Sequence, residues 1–141
     1  MTFVNDKKKI IYCVLLLSVL VIAAYYLYDN QNKIFIPKEV KTVTKTYLSL
    51  CKEGDFPKAL EYCYYKEEHE FYKNIPGREP LKAYKIDEFY KINDKLYEVT
   101  IIYDNSRRVR NYVGYIDGKY YFIINQMDIP DNMKENFLDT L

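Results

Sequence analysis

The sequence predicts an α+β protein: an N-terminal transmembrane helix, then helices packed on a curved four-stranded antiparallel sheet, cone-like in form. Three observations carry this reading. Ile10 to Tyr28 are apolar or aromatic apart from Ser18. Between Val40 and Cys63, apolar residues recur at every third or fourth position, the period of a helix. Beyond Leu81 the period falls to two, the period of a strand.

At 1.5 Å per residue, the apolar run reaches roughly 28 Å, about the thickness of a bilayer's hydrocarbon core. Tyr12 stands near one end and Tyr25, Tyr26 and Tyr28 at the other, where amphipathic rings favour the lipid–water interface. Lys7, Lys8 and Lys9 precede the run and Asp29 follows it. The positive-inside rule then makes residues 1–9 a cytoplasmic tail, 10–28 the span, and the rest extracytoplasmic. Ala23-Ala24 invites a competing reading as a cleaved signal peptide, but Ile22 stands two places before Ala24 and the apolar run continues past it, which favours an anchor. Cys13 follows Ile10-Ile11-Tyr12 and lacks a lipoprotein-type context; it reads as a passive membrane cysteine.

Residues 29–36 read as a linker and 37–141 as the domain. Pro37 suits the first turn of a helix, in which Val40, Val43, Tyr47, Leu48 and Cys51 form one face and Gly54 supplies the stop. Asp55 and Pro57 start a second helix, with Ala59, Leu60 and Cys63 turned inward. Lys66 to Lys73 predicts a third short helix, with Phe71, Tyr72 and Ile75 inward, broken by Pro76-Gly77. Four strands follow. The first carries Tyr84, Ile86, Tyr90 and Ile92, with a bulge at Asp87-Glu88. Asn93-Asp94 turns the chain into Tyr97, Val99, Ile101 and Tyr103, and Asp104-Asn105-Ser106 turns it into Val109, Asn111, Val113 and Tyr115. Asp117-Gly118 is a two-residue hairpin signal. The last strand puts Tyr120, Phe122 and Ile124 on one face and Tyr121 and Ile123 on the other. Pro130 to Leu141 predicts a closing helix, with Met133, Phe137 and Leu141 on one side.

Composition narrows the function. The 141 residues carry 21 Lys+Arg against 20 Asp+Glu, a net charge of +1, which excludes the basic footprint of a general nucleic-acid binder. One His and three Cys are too few for a zinc ribbon or a disulfide-dense scaffold, and no cofactor is expected. A hydrophobic fraction of 49% excludes overall disorder.

The run from Val40 to Cys63, with Lys52-Glu53-Gly54-Asp55-Phe56 and Lys58-Ala59-Leu60 at its centre, resembles the opening of the nuclear transport factor 2-like superfamily. It is similar in particular to small bacterial extracytoplasmic domains that follow an N-terminal anchor. The resemblance covers about residues 38–126 and implies a cone-shaped cavity between helix and sheet. Some members of the superfamily are enzymes that place an Asp, a Tyr or a His–Asp pair inside that cone. Gly54-Asp55-Phe56 with Lys58-Ala59-Leu60 also resembles half of a tetratricopeptide repeat, but no period of about 34 residues follows it.

The candidate catalytic groups are poor. Asp94, Asp104 and Asp117 fall in turns, where water leaves carboxylates ionised. Asp87 and Glu88 stand at the irregular point of a strand. His69 lies among Glu67, Glu68 and Glu70 on a surface segment. No catalytic or metal residue is assigned. Tyr84, Tyr97, Tyr103, Tyr115 and Tyr120 share the inward phase of their strands and are candidates to line a cavity, or else ordinary core. Arg107, Arg108 and Arg110 are a candidate basic contact patch for an acidic partner, or else charges that guard a sheet rim. Cys51 and Cys63 sit too far apart along an antiparallel helix pair for easy disulfide geometry and read as buried thiols.

Three function classes stay open. The leading expectation is a non-catalytic interaction or scaffold module at the bacterial cell envelope. It would be held in the bilayer by Ile10 to Tyr28 and meet an envelope protein partner, as in secretion or conjugation assemblies. The second is a ligand- or glycan-binding module using the tyrosines; the third is an enzyme with an unrecognised pocket.

Overall fold

A computed structural model describes residues 2–67 and 79–134, for 2–6 and 31–34 through the backbone alone. The chain divides into two compact units, Met1–Ile34 and Phe35–Leu141.

The first unit is one helix, α1 (Thr2–Ile34, 33 residues). Within it, Lys7–Asn30 is long and apolar enough to cross a membrane. Ile10, Ile11, Tyr12, Leu16 and Leu17 point in different directions round the axis and are all exposed, so apolar groups ring the helix and no stripe marks a buried face. Ser18 donates its hydroxyl to the Leu15 carbonyl at 2.8 Å, so its polar group is satisfied inside the helix. The expected linker at 29–36 is largely helical. Asp29 to Ile34 contain no Gly or Pro to stop α1, and only Phe35, Ile36 and Pro37 separate it from the next helix.

The second unit opens with α2 (Lys38–Glu53), which buries Val40, Val43, Thr44, Tyr47, Leu48, Leu50 and Cys51. Its end is a Schellman motif. Gly54 takes φ 81°, its N–H reaches the Cys51 carbonyl, and the Asp55 N–H reaches the Leu50 carbonyl at 3.0 Å. Asp55 then caps α3 (Phe56–Leu60) by accepting from the Lys58 N–H at 3.3 Å. The chain turns and pairs Cys63 with Phe122 in a parallel bridge, held by Tyr64 N–H to the Phe122 carbonyl at 2.9 Å and Phe122 N–H to the Tyr62 carbonyl at 2.8 Å. This short segment protects a sheet edge that would otherwise stand unpaired. The helix expected over Lys66–Lys73 lies largely outside the described residues.

The sheet is a meander in the order β1 (Tyr84–Lys91), β2 (Leu96–Tyr103), β3 (Arg107–Ile116) and β4 (Lys119–Ile123), antiparallel throughout. The Asp117-Gly118 turn takes φ 48° and 85°, and Asp104-Asn105 takes 49° and 64°, the left-handed geometry that a tight hairpin needs. The bulge falls between Ile86 and Glu88 and corrects the first strand's phase. Tyr84 and Ile86 point toward α2. After the extra residue Phe89 does so, opposite Val99, while Tyr90 pairs with Glu98 on the other face. A single inserted residue exchanges the faces of everything beyond it.

One core joins α2, α3 and the α2-facing side of the sheet, through Val99, Ile101, Val113 and Phe122. A second, on the opposite side, gathers Leu96, Tyr112, Ile123, Ile129 and Met133. It is closed by two 3-10 turns, Gln126–Asp128 and Asp131–Met133. The second of these is the described part of the helix expected over Pro130–Leu141; Phe137 and Leu141 lie outside the described residues. Asp128 is buried and accepts from the Lys66 N–H at 3.0 Å, while Asn93 Nδ2 donates to the Met133 carbonyl at 3.0 Å. These two bonds fasten the C-terminal turns to the rest of the domain.

Candidate functional site

The space that a cone would occupy is filled. Tyr47 stacks on Phe122 with ring centroids 4.2 Å apart. Around that pair Val40, Leu48, Val99, Ile101 and Val113 are fully buried. Hollows remain at the two ends of this contact.

At the α2 N-terminal end lies an open cleft of about 470 Å³ between Lys38, Glu39, Thr42, Val43 and Thr46 on one side and Tyr62, Tyr115, Gly118, Lys119 and Tyr120 on the other. The helix spacing of 38, 42 and 46 puts those residues on one face. The hairpin at Asp117-Gly118 sets Tyr115 directly opposite Tyr120, their rings 4.9 Å apart at 58°. At the other end a hollow of about 240 Å³ is lined by Tyr47, Cys51, Phe56, Tyr103, Arg107 and Asn111 among others.

The five candidate tyrosines therefore separate. Tyr115, 40% exposed, and Tyr120 line the larger cleft. Tyr103 lines the smaller and donates its hydroxyl to Asn111 Oδ1 at 2.9 Å, while Asn111 Nδ2 donates to the Ile124 carbonyl at 3.0 Å. Tyr84 shares a hydrogen bond of 3.1 Å with Ser49, tying β1 to α2. Tyr97 is 3% exposed; burial, then the neighbouring Tyr120 phenol, pushes its own phenol up to about 12. Neither Tyr84 nor Tyr97 lines either hollow. Sequence phase alone does not reveal Tyr62, Lys119 or the α2 residues of the cleft. The available signal was the symmetry of Tyr115 and Tyr120 about the Asp117-Gly118 turn, which pairs them across the hairpin.

The three arginines do not form one patch. Arg107 stands opposite Tyr103 on the α2-facing side, its guanidinium 5.5 Å from that ring. Arg108 and Arg110 lie on the opposite face, in a polar hollow of about 410 Å³ with Glu88, Glu98 and Thr100. There Arg108 meets the Asp87 carboxylate at 3.0 Å and Arg110 meets Glu98 at 3.8 Å. Alternation along β3 separates Arg107 from its neighbours, and acids on β1 and β2 answer the other two. Burial raises the Glu98 carboxyl above its ordinary range against the pull of Arg110, with Glu88 adding to the rise.

The acids weighed as catalysts have structural duties. Asp104 accepts from the Lys82 and Ala83 N–H groups at 2.9 and 3.1 Å, and Asp94 is held at 2.6 Å by Lys91, which lowers its carboxyl. Asp117 sits in the hairpin turn at positive φ. His69 lies outside the described residues. Among the described residues no three His, Cys, Asp or Glu side chains group to hold a metal. Cys51 and Cys63 are buried thiols.

Fold and site together define a class: an α+β domain that follows an apolar helix of membrane-spanning length, its helix–sheet interior packed and Tyr62, Tyr115 and Tyr120 lining an open cleft. The chain matches no protein-family model and no curated protein.

Proposed function

We propose that this is a single-pass protein of the bacterial cell envelope, with residues 1–9 cytoplasmic and an extracytoplasmic domain that acts as a non-catalytic interaction module. The observation that carries the reading is the union of the Lys7–Asn30 stretch with a domain whose helix–sheet interior is filled by its own side chains. Lys7 to Lys9 before the span and Asp29 after it support the orientation. Kinship with the nuclear transport factor 2-like superfamily belongs to the same proposal. It is supported by the order of elements, a helix pair followed by a four-stranded antiparallel meander. On this reading the domain meets an envelope protein, with a secretion or conjugation assembly as the particular setting.

In-cell crosslinking of the full-length chain, beside an anchor-only control of residues 1–36, tests the proposal. Enrichment of defined envelope proteins that disappears with the domain is the expected result. Equal recovery from both would overturn the protein-partner reading. A second reading, a small-ligand or glycan module, is favoured by one observation, the open cleft beneath Tyr115 and Tyr120.

A further inference from the structure

We propose that the cleft between α2 and the β3–β4 hairpin is a saccharide site that prefers sugars bearing a carboxylate. The inference rests on reading the domain as a binding module, and does not require a protein partner.

The cleft has two unlike walls. The hairpin wall is aromatic and already ordered: Tyr115 leans on Tyr120 at 4.9 Å, and Tyr120 meets the buried Tyr97 edge-on at 6.1 Å. Tyr115 nevertheless stays 40% exposed. Rings held by other rings lose little freedom when a ligand covers them. The helix wall is mixed: Val43 gives it an apolar strip, and Lys38, Glu39 and Thr46 set an ammonium, a carboxylate and a hydroxyl along it.

That asymmetry selects a ligand class. An acyl chain or other wholly apolar molecule would pack on Val43 and the rings but leave Lys38, Glu39 and Thr46 unanswered. A thin, wholly polar molecule would leave the rings uncovered. A pyranose has an apolar C–H face to lie on a tyrosine ring and an edge of hydroxyls to meet the helix wall. The volume of about 470 Å³ falls in the range of small-ligand sites.

Charge refines the class. Two lysines, Lys38 and Lys119, line the cleft against one glutamate, Glu39, a local excess of positive charge. Lys119 Nζ stands 5.5 Å from the Tyr62 ring centre and 5.1 Å from that of Tyr121, and among the described residues it meets no carboxylate. Two ring faces fix the ammonium in place while leaving its charge to be matched by an incoming anion.

Saturation-transfer NMR on the full-length protein in zwitterionic nanodiscs is the test. The probes are the disaccharide of N-acetylglucosamine and N-acetylmuramic acid, which carries a carboxylate, and neutral chitobiose. Both sugars should receive saturation at their ring C–H protons, and the acidic one should bind about fivefold tighter, the scale of one exposed charge pair. Tyr115→Ala should weaken both about tenfold, whereas Tyr115→Phe should keep them. Lys119→Gln should abolish the preference for the acid and spare chitobiose. Co-sedimentation with insoluble peptidoglycan separates the sources: retention assigns the wall polymer, and binding of the soluble disaccharide alone assigns free fragments; both support the site. No transfer at millimolar sugar, transfer indifferent to Tyr115→Ala, or a Tyr115 response to anionic-lipid nanodiscs with none to sugar would each overturn it. Loss of sugar binding with crosslinked partners retained removes this site alone. The reverse pattern removes the scaffold reading alone.

Discussion

The two faces of the sheet are built from the same alternating strands and end differently. The face toward α2 is covered along its centre by a helix and by the Tyr47–Phe122 stack, with Val99, Ile101, Val113 and Phe122 fully buried. The opposite face changes character along its length. One part is apolar, covered by the C-terminal turns through Ile129 and Met133. The rest is a charged strip of Glu88, Glu98, Arg108 and Arg110. Alternation decides which way a side chain points; it does not decide what the chain lays over it. A face becomes core only where a later segment returns to cover it.

The comparison is broken most directly at Phe122, the largest fully buried side chain among the described residues and the partner of Tyr47. Phe122→Ala should cost about 3–5 kcal/mol, read as the shift in chemical unfolding followed by circular dichroism of the full chain in detergent. Ile129→Ala, equally buried but on the other face, should cost about 2 kcal/mol, the lower end for such truncations. The reason is the size of the surroundings: five buried residues form its cluster among those described, against fifteen on the α2 side. An Ile129→Ala cost equal to that of Phe122→Ala would make the C-terminal turns a core of the same rank.

A smaller change asks whether those turns close tightly. A Cβ added at Gly114 would stand 3.0 Å from Ile123 Cδ1 and 3.3 Å from Met133 Sδ. Gly114→Ala should therefore destabilise by about 1 kcal/mol through overpacking. In a Met133→Ala background half of that crowding is gone, and the double-mutant cycle should return part of the cost. A cycle with no coupling would mean that the turn does not press on the strand.

These contrasts mark how far the sequence was legible. The hairpins were readable because Asp117-Gly118 and Asp104-Asn105 supply left-handed geometry at fixed positions, a purely local requirement. The Gly54 stop was readable for the same reason. The second core was not, because Leu96, Tyr112, Ile123, Ile129 and Met133 come from four separate stretches of chain and none dominates a period. The Cys63–Phe122 bridge is one residue long, too short to leave a pattern. The tyrosines show the limit at the site itself. Phase put all five on one side of the sheet, but depth beneath α2 decided their fates: Tyr97 is covered, and Tyr115, next to the hairpin, is open. The arginines failed for a simpler reason, since adjacency in sequence along a strand is separation in space.

The subtlest difference between the faces is electrostatic and lies at Glu98. Its carboxyl is raised above its unfolded value of 4.5, first by burial, with Arg110 opposing and Glu88 assisting. The folded state then holds this proton more tightly than the unfolded chain. In the interval just above pH 4.5 it binds more protons, and the linkage slope is negative there: stability falls as pH rises through the interval, and stays lower above it. Asp94 and Asp131 work in the opposite sense, since Lys91 and Lys134 lower their carboxyls. What they contribute is present above their unfolded value of 3.8 and lost as pH falls through the folded one. Because wild type and a Glu98→Gln variant share those two groups, their contribution cancels in the difference. Glu98→Gln should accordingly be the more stable protein at pH 7, by less than about 1 kcal/mol, since it also gives up a loose 3.8 Å ion pair whose Arg110 side is largely exposed. The two should converge below pH 4.5, where wild-type Glu98 is protonated whether folded or not. Parallel unfolding curves at pH 7 and pH 4 decide the matter. A variant that is less stable at pH 7 would mean that Arg110 outweighs burial, and that the charged strip contributes to the fold as the apolar part does.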